Sequence, residues 1–124
     1  MSFSPENAAT LIAVIDDEQV VRETLQDLLA SLGYKTVLFG TADSFLASDA
    51  ARNVDCIISD IQMAGTTGLQ LARLMKAAEV PIILITAFPT AEVEQQAKAA
   101  GVRRLLVKPF DSDVLIAELE RLLT

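Results

Sequence analysis

Apolar residues follow two patterns along the chain, short continuous runs and helical spacing. Short segments rich in Val, Ile and Leu predict five strands, at residues 10–15, 34–39, 54–59, 81–86 and 103–107. Segments with apolar residues at helical spacing predict five helices, at 18–32, 41–50, 68–78, 90–100 and 111–122. This alternation predicts an α/β fold with a doubly wound, five-stranded parallel sheet in the order 2-1-3-4-5.

Several residues mark the ends of the predicted helices. Thr41, Thr90 and Asp111 have side chains suited to capping a helix N-terminus, and Gly33 and Gly101 are suited to ending one. The apolar stripe facing the sheet is predicted to contain Val21, Leu25, Leu28 and Leu32 in the first helix, and Leu115, Leu119 and Leu122 in the last.

Polar residues follow four of the five strands. Asp16 and Asp17 come after the first strand, Asp60 after the third, Thr86 ends the fourth, and Lys108 follows the fifth. In an open parallel sheet, ligands bind in the crevice outside the carboxyl ends of the strands. The sequence therefore predicts that three carboxylates, a hydroxyl and an ammonium share one site.

The predicted strand order makes the first and third strands neighbours, so we expect Asp16, Asp17 and Asp60 within a few ångströms of one another. Carboxylates this close repel and require a cation. Oxygen ligands without histidine or thiolate suit a hard ion such as Mg²⁺. With Lys108 and Thr86 able to bind an anion, the set suits phosphoryl transfer to a carboxylate.

Composition excludes other chemistry. The 124 residues contain no histidine, which rules out Ser-His-Asp catalysis, His-ligated zinc and an internal phosphohistidine. The net charge of −7 argues against direct nucleic-acid binding, and Arg103-Arg104 is interpreted as solvated surface. No apolar run approaches the roughly 18 residues of a membrane span. We expect one domain over residues 1–124, located in the cytoplasm without membrane contact. We also expect Cys56 to be buried.

Each polar residue also has a simpler interpretation. Asp16-Asp17 could cap the first helix, where an acidic residue contributes ~0.3–1 kcal/mol. Asp60 could be a turn residue, Lys108 a solvated strand end, and Thr86 a hydroxyl at the edge of the core. Their shared position at strand ends favours the common site.

The sequence resembles the receiver domain of a two-component response regulator over residues 11–122. The matching elements, in the family's order and spacing, are Asp16-Asp17, Asp60 with Met63 and Gly68 downstream, Thr86-Ala87, and Lys108-Pro109-Phe110. The resemblance implies a flavodoxin-like fold and a phosphoprotein of signal transduction or phosphorelay. Beyond its own phosphorylation and dephosphorylation, such a domain is not an enzyme.

The resemblance also assigns roles to residues. Asp60 would be the phospho-acceptor, Asp17 the principal Mg²⁺ ligand, and Asp16 a ligand directly or through water. The backbone carbonyl of Gln62 would be a further ligand. Thr86 would bind the phosphoryl oxygen, Lys108 would pair with it, and the Lys108–Pro109 bond would be cis.

The implied partners are a sensor histidine kinase, whose phosphohistidine would be the donor, and an output domain or downstream protein. A phosphorylation-dependent homodimer through the fourth helix, fifth strand and fifth helix is a further expectation. It would use the outward-facing Val114, Ile116 and Leu123, which could equally be scattered surface residues.

Four positions depart from the family pattern. Ala64 replaces a proline and Thr66 a methionine, and both changes are expected to loosen the loop after Asp60. Leu105 replaces an aromatic residue, while Phe88, followed by Pro89, should make the loop after the fourth strand stiffer and more apolar. We therefore expect switching to act through residues 87–90 and the adjoining helix.

Two alternatives to a phosphorylated receiver remain open from the residues. An aspartate-nucleophile phosphatase would need a cap over its substrate, and no predicted loop is long enough for one. A pseudo-receiver would bind a partner without phosphorylation, but would typically have lost the acceptor or an acidic ligand.

Overall fold

Five parallel strands form a central sheet, and helices cover both of its faces. The computed structural model of the protein describes residues 10–123. The strands are β1 (Leu11–Ile15), β2 (Lys35–Phe39), β3 (Cys56–Asp60), β4 (Ile82–Thr86) and β5 (Arg104–Val107). The helices are α1 (Gln19–Ser31), α2 (Ala42–Leu46), α3 (Gly68–Met75), α4 (Ala91–Ala99) and α5 (Ser112–Leu123). Short 3-10 helices follow α2 at Asp49–Arg52 and α3 at Lys76–Ala78.

The sheet has the order β2-β1-β3-β4-β5, and every pair is parallel, which confirms the predicted architecture. β1 lies between β2 and β3, with Ile15 opposite Ser59. The carboxyl ends of β1 and β3 are therefore adjacent. This register places the residues after β1 beside Asp60, the last residue of β3.

The sheet separates two hydrophobic core layers, because successive side chains of a strand point to opposite faces. The first core layer lies under α2, α3 and α4 and includes Ala13, Ile15, Phe45, Leu71 and Leu84. The second core layer lies under α1 and α5 and includes Ile12, Val14, Leu29, Ile58, Leu115 and Leu119. Each large aliphatic side chain so buried contributes about 1.5–3 kcal/mol. These layers fix the strand ends on which the polar residues lie.

The predicted caps are confirmed. Thr41 Oγ1 accepts a hydrogen bond from Ser44 N at 3.1 Å, and Thr90 Oγ1 accepts one from Val93 N at 3.0 Å. Asp111 Oδ1 accepts one from Asp113 N at 2.8 Å. Gly33 and Gly101 end α1 and α4 with φ values of 89° and 80°, which side chains rarely tolerate.

Two helices are shorter than predicted. α2 ends at Leu46, because the Ser48 hydroxyl and N–H both bond to the Phe45 carbonyl and close the turn. α3 ends at Met75 and tightens into the 3-10 turn, which Glu79 terminates with a left-handed φ of 59°. Apolar spacing continues through both segments, so spacing alone could not locate these ends.

The buried stripe of α1 differs from the prediction. Leu25, Leu29 and Leu32 are buried, whereas Val21 and Leu28 are only partly so. Leu29 occupies the place expected for Leu28, a shift of one position around the helix.

In α5, two of the three residues predicted to face the sheet are buried, and the third, Leu122, is only partly buried. Leu115 and Leu119 are fully buried, and Val114, Ile116 and Leu123 are partly buried against the second core layer. Self-association through this helix stays a prediction. Burial raises the pKa of the Cys56 thiol to about 12, so this cysteine is a core residue. Among residues 10–123, no helix has the length and hydropathy to cross a membrane.

Candidate functional site

Asp16 is held rigidly at the end of β1. Its N–H bonds to the Phe39 carbonyl at 3.1 Å, and its Oδ1 accepts the Glu18 N–H at 2.9 Å, which turns the chain into α1. Arg22 of α1 donates to the Asp16 carbonyl at 2.6 Å. The residue is 1% exposed. Both its backbone and its carboxylate are thus fixed before any ligand binds.

Three consecutive carboxylates form a compact acidic group. One oxygen from each of Asp16, Asp17 and Glu18 lies within 4.8 Å of the others. Asp60 faces this group, because Lys108 Nζ lies 3.6 Å from Asp16 Oδ2 and 3.0 Å from Asp60 Oδ2, and Asp16 and Asp60 are therefore close together, as expected from the strand order. Glu18 was not among the predicted site residues, although its position directly after Asp16-Asp17 in the sequence could have indicated it.

Asp60 lies between two hydrogen-bond donors at the end of β3. Its Oδ1 accepts the Gln62 N–H at 3.1 Å, and its Oδ2 accepts from Lys108 Nζ at 3.0 Å. The residue is 6% exposed. Because Gly68 N bonds to the Ile61 carbonyl at 3.0 Å, the start of α3 packs directly on the backbone next to Asp60.

Lys108 joins the two sets of carboxylates. Its Nζ lies 3.0 Å from Asp60 Oδ2, 3.6 Å from Asp16 Oδ2 and 4.0 Å from Glu18 Oε1. Its N–H bonds to the Thr86 carbonyl at 2.8 Å, and the following bond to Pro109 is cis, as predicted. Burial lowers the pKa of Lys108, but the Asp60 hydrogen bond and the charges of Asp16, Asp60 and Glu18 outweigh it. The net pKa is raised, and the side chain is an ammonium at neutral pH.

Asp16 retains capacity for a cation. Burial raises the pKa of its carboxyl above the ordinary value, and the charges of Asp60 and Asp17 act in the same direction, against the Glu18 N–H and Lys108. Its Oδ2 is buried and has no hydrogen-bond partner among the described residues. A buried oxygen in that condition beside two further carboxylates fits a divalent cation with oxygen ligands, such as Mg²⁺.

Thr86 is fully buried at the end of β4, one strand away from Asp60. Its Oγ1 accepts the N–H of Phe88 at 3.0 Å, so the hydroxyl hydrogen stays available to donate. The ring of Phe88 is 68% exposed. This bond connects Thr86 directly to the loop at residues 87–90.

The loop between Asp60 and α3 is hydrogen-bonded to α2 through Thr66, one of its unusual residues, and its expected loosening stays a prediction. Asp43 of α2 accepts the Thr66 hydroxyl at 2.6 Å and the Thr66 N–H at 3.3 Å. At the end of the loop, Thr67 and Gln70 form a reciprocal capping box that begins α3. The sequence of the loop alone could not show that Asp43, which lies in α2, would accept these hydrogen bonds.

Two cavities adjoin this group of residues. One of about 500 Å³ lies beside Asp17 and is lined by Asp17, Ile61, Gln62, Met63, Ala64, Thr67 and Leu69. The other, of about 660 Å³, is an apolar groove between α1 and the segment after Lys108. Both open at the carboxyl edge of the sheet, where the predicted site residues lie.

The fold and this site define a known class of protein. The family model described as "Response regulator receiver domain" matches residues 12–120. The chain belongs to that family and is a receiver domain of two-component response regulators. Family members typically bind Mg²⁺ at an acidic pocket, and Asp16, Asp17 and Glu18 form such a cluster in this chain.

Individual relatives agree with this assignment. The chain is 35% identical to the transcriptional regulatory protein FixJ of Bradyrhizobium diazoefficiens, over 88% of this chain and 54% of FixJ. It is 34% identical to the C4-dicarboxylate transport transcriptional regulatory protein DctD of Pseudomonas aeruginosa, over 98% of this chain and 27% of DctD. The structure of the Vibrio cholerae chemotaxis protein CheY4 matches with a TM-score of 0.83 and 28% identity, covering 94% and 100% of the two chains.

The chain therefore spans about half the length of FixJ and about a quarter of DctD. These relatives give no support to the pseudo-receiver alternative.

Proposed function

We propose that Asp60 accepts a phosphoryl group from the phosphohistidine of a sensor histidine kinase. The observation that carries this proposal is the placement of Asp60 at the end of β3, nearly buried, between Lys108 Nζ and the Gln62 N–H. Both donors hold the carboxylate in place at the carboxyl edge of the sheet, where a phosphoryl donor can approach it.

In the proposed reaction, an oxygen of Asp60 forms a bond to phosphorus while the bond from phosphorus to the donor imidazole breaks. The imidazole keeps the electron pair and takes up a proton from solvent. Lys108 then exchanges part of its contact with Asp60 for a phosphoryl oxygen, and the Thr86 hydroxyl donates to another. Positioning and charge neutralisation supply most of the catalysis in phosphoryl transfer.

The proposed cation ligands are Asp16, Asp17, Asp60 and the backbone carbonyl of Gln62, with Glu18 close enough to contribute through water. When bound, Mg²⁺ would neutralise negative charge on the transferring group. The Lys108 ammonium lies within 4.0 Å of three carboxylates, those of Asp16, Glu18 and Asp60, and Asp17 adds a fourth carboxylate beside Asp16 and Glu18. The excess of negative charge supports an obligatory divalent ion.

The experiment that tests this function is incubation with acetyl phosphate and Mg²⁺, followed by intact mass measurement. A receiver gains one phosphoryl group, a phosphatase turns the donor over continuously, and a pseudo-receiver does neither. Addition of a chelator before the donor should abolish the adduct. Since relatives such as FixJ are transcriptional regulators of about twice this length, an output domain is the proposed recipient of the signal.

Phe88 should set how long the phosphoryl group lasts. Phe88 is 68% exposed, its N–H bonds to Thr86 Oγ1 at 3.0 Å, and its apolar ring offers no hydrogen bond to an attacking water. Replacing Phe88 with Glu would supply an acceptor for that water. General-base assistance contributes ~10²–10⁴-fold when fully aligned, so we expect an exposed glutamate to shorten the lifetime about tenfold.

The measurement for Phe88→Glu is the decay of the phosphorylated mass after removal of the donor. Phe88→Leu is the matched control, because it keeps an apolar side chain, and its decay should resemble that of the wild type. An unchanged or slower decay in the glutamate variant would show that Phe88 does not shield the site.

The apolar groove is the proposed docking surface of the kinase. It is lined by Val20, Val21, Leu25, Leu28, Pro109 and Phe110, and Lys108 forms one of its walls. Val20 is 74% exposed and adjoins further apolar residues of the groove, so together they form an apolar surface that a partner can cover. Because Lys108 also contacts Asp60, a protein seated in this groove would bring its phosphohistidine to the acceptor.

Val20→Glu should therefore separate the two routes of phosphorylation. We expect transfer from a sensor kinase core that phosphorylates the wild type to fall about tenfold or more, as for a central interface residue. Labelling by acetyl phosphate, which needs no docking, should be unchanged. Leu74→Glu on α3, a site with similar exposure of 61%, provides the control. Equal transfer rates for Val20→Glu and the wild type would place the kinase elsewhere.

A further inference from the structure

The loop that carries Gln62 is anchored unevenly. Its inner half is fixed by the bond from Gln62 N to Asp60 Oδ1 at 3.1 Å, and by Met63, whose side chain is buried in the first core layer. Its outer half, residues 64–66, is exposed or half-buried. Among the described residues, the hydrogen bonds that connect this outer half to another element are those between Thr66 and Asp43.

Asp43 is presented by a rigid platform. α2 is held by Ala42 and Phe45, both fully buried, and the Phe45 ring packs edge-to-face on Phe39 with centroids 5.4 Å apart. Thr41 caps the helix immediately before Asp43. A carboxylate on such a support does not follow the loop but holds it in place.

The contact itself is strong and specific. Asp43 Oδ1 accepts the Thr66 hydroxyl at 2.6 Å, and Oδ2 accepts the Thr66 N–H at 3.3 Å, so a charged acceptor binds two donors of one residue. These bonds hold the pKa of the Asp43 carboxyl below its ordinary value. The neighbouring Gly65 has a φ of 75°, and a Cβ there would overlap the Asp43 carboxylate. The loop is thus shaped to let Asp43 approach.

We infer that Asp43 and Thr66 are positioning residues for the metal site, because their contact fixes the loop whose Gln62 carbonyl is a proposed ligand. This inference rests on the proposed function of that carbonyl. Freeing residues 64–66 gives the loop more conformations, which metal binding must then order. Neither residue touches the metal. Their effect is on the geometry of a ligand four residues away from Thr66.

The test measures Mn²⁺ binding by the electron paramagnetic resonance signal of the free ion, in the absence of any phosphoryl donor. Groups that orient metal ligands typically change affinity 10–100-fold, so for Asp43→Ala and Thr66→Val we expect the dissociation constant to rise about tenfold. Thr66→Ser keeps the hydroxyl and should restore wild-type affinity. The double variant Asp43→Ala/Thr66→Val should bind no more weakly than either single variant.

The control for charge is Asp49→Ala. Asp49 is an exposed carboxylate in the 3-10 helix after α2, and its side chain makes no hydrogen bond among the described residues. Its removal should leave the dissociation constant unchanged. An equal weakening by Asp49→Ala would overturn the inference in favour of a general charge effect.

A lower thermal midpoint in Asp43→Ala and Thr66→Val with unchanged Mn²⁺ affinity would also overturn the inference, since the contact would then be purely structural. Those two outcomes leave the proposed function intact. Failure of the wild type itself to bind Mn²⁺ would instead contradict the proposed metal site, and this inference with it.

Discussion

Asp60→Asn should remove the phosphoryl adduct completely when the protein is incubated with acetyl phosphate and Mg²⁺. The amide is no nucleophile at neutral pH, and it would also lose the ionic contact with Lys108 Nζ that now measures 3.0 Å. Thr86 and Ser59 are fully buried hydroxyls without an adjacent base, so neither is expected to substitute. Intact mass measurement over a time course gives the result directly.

Asp55→Asn is the matched control for this experiment. Asp55 precedes β3 at the opposite end of the strand and binds the Leu11 N–H at 2.9 Å, far from the crevice. The substitution makes the same chemical change in the same strand region and should leave the adduct intact. A full mass shift in Asp60→Asn would refute the assignment of the acceptor.

Gly68→Ala should destabilise the fold by about 2–3 kcal/mol, within the range for overpacking a tight site. A Cβ at Gly68 would overlap the carbonyl oxygen of Asp60 and lie 2.9 Å from the Ile61 Cα. Both neighbours are backbone atoms that cannot rotate away. Relief would require α3 to move off the end of β3, which would also displace the acceptor. Urea unfolding gives the free energy, and the acetyl phosphate assay gives the loss of labelling.

Gly40→Ala provides the comparison. The added Cβ would meet only the Arg22 guanidinium, at an ordinary contact distance of 3.6 Å. Its free energy of unfolding should change by roughly 0.5 kcal/mol or less, as is usual for a substitution away from the core. Equal free energies of unfolding for Gly68→Ala and Gly40→Ala would contradict the close packing of α3 on the backbone of Asp60 and Ile61.

The sheet could be predicted from the sequence because its strands are strongly apolar and because capping residues and glycines mark the helix ends between them. β4 is buried along its full length, and a continuous run such as 82–86 is typical of a strand covered on both faces. The ends of α2 and α3 could not be predicted in the same way. α2 ends where the Ser48 hydroxyl bonds to a backbone carbonyl, and the 3-10 turn after α3 ends at Glu79, which has a left-handed conformation. Neither feature changes the spacing of apolar residues.

The site was predictable to the extent that strand ends determine it. Asp16, Asp60, Thr86 and Lys108 each follow or end a strand, and the structure brings them to one edge of the sheet. Contacts made across the sequence were not predictable. The Asp43 carboxylate meets Thr66 across 23 residues, and the membership of Glu18 in the acidic group depends on how the chain turns into α1.

The division of the core into two layers has a consequence for how this signalling module can diversify. The groove beside α1 belongs to the α1/α5 face, while α4 and Asp43 of α2 belong to the opposite face. The sheet is a single layer between these two faces, and both faces adjoin its carboxyl edge. The sheet therefore separates substitutions in the groove from α4 and from Asp43. Under the proposed function, the choice of kinase can therefore change through the groove without substitutions at Asp60 or in α4.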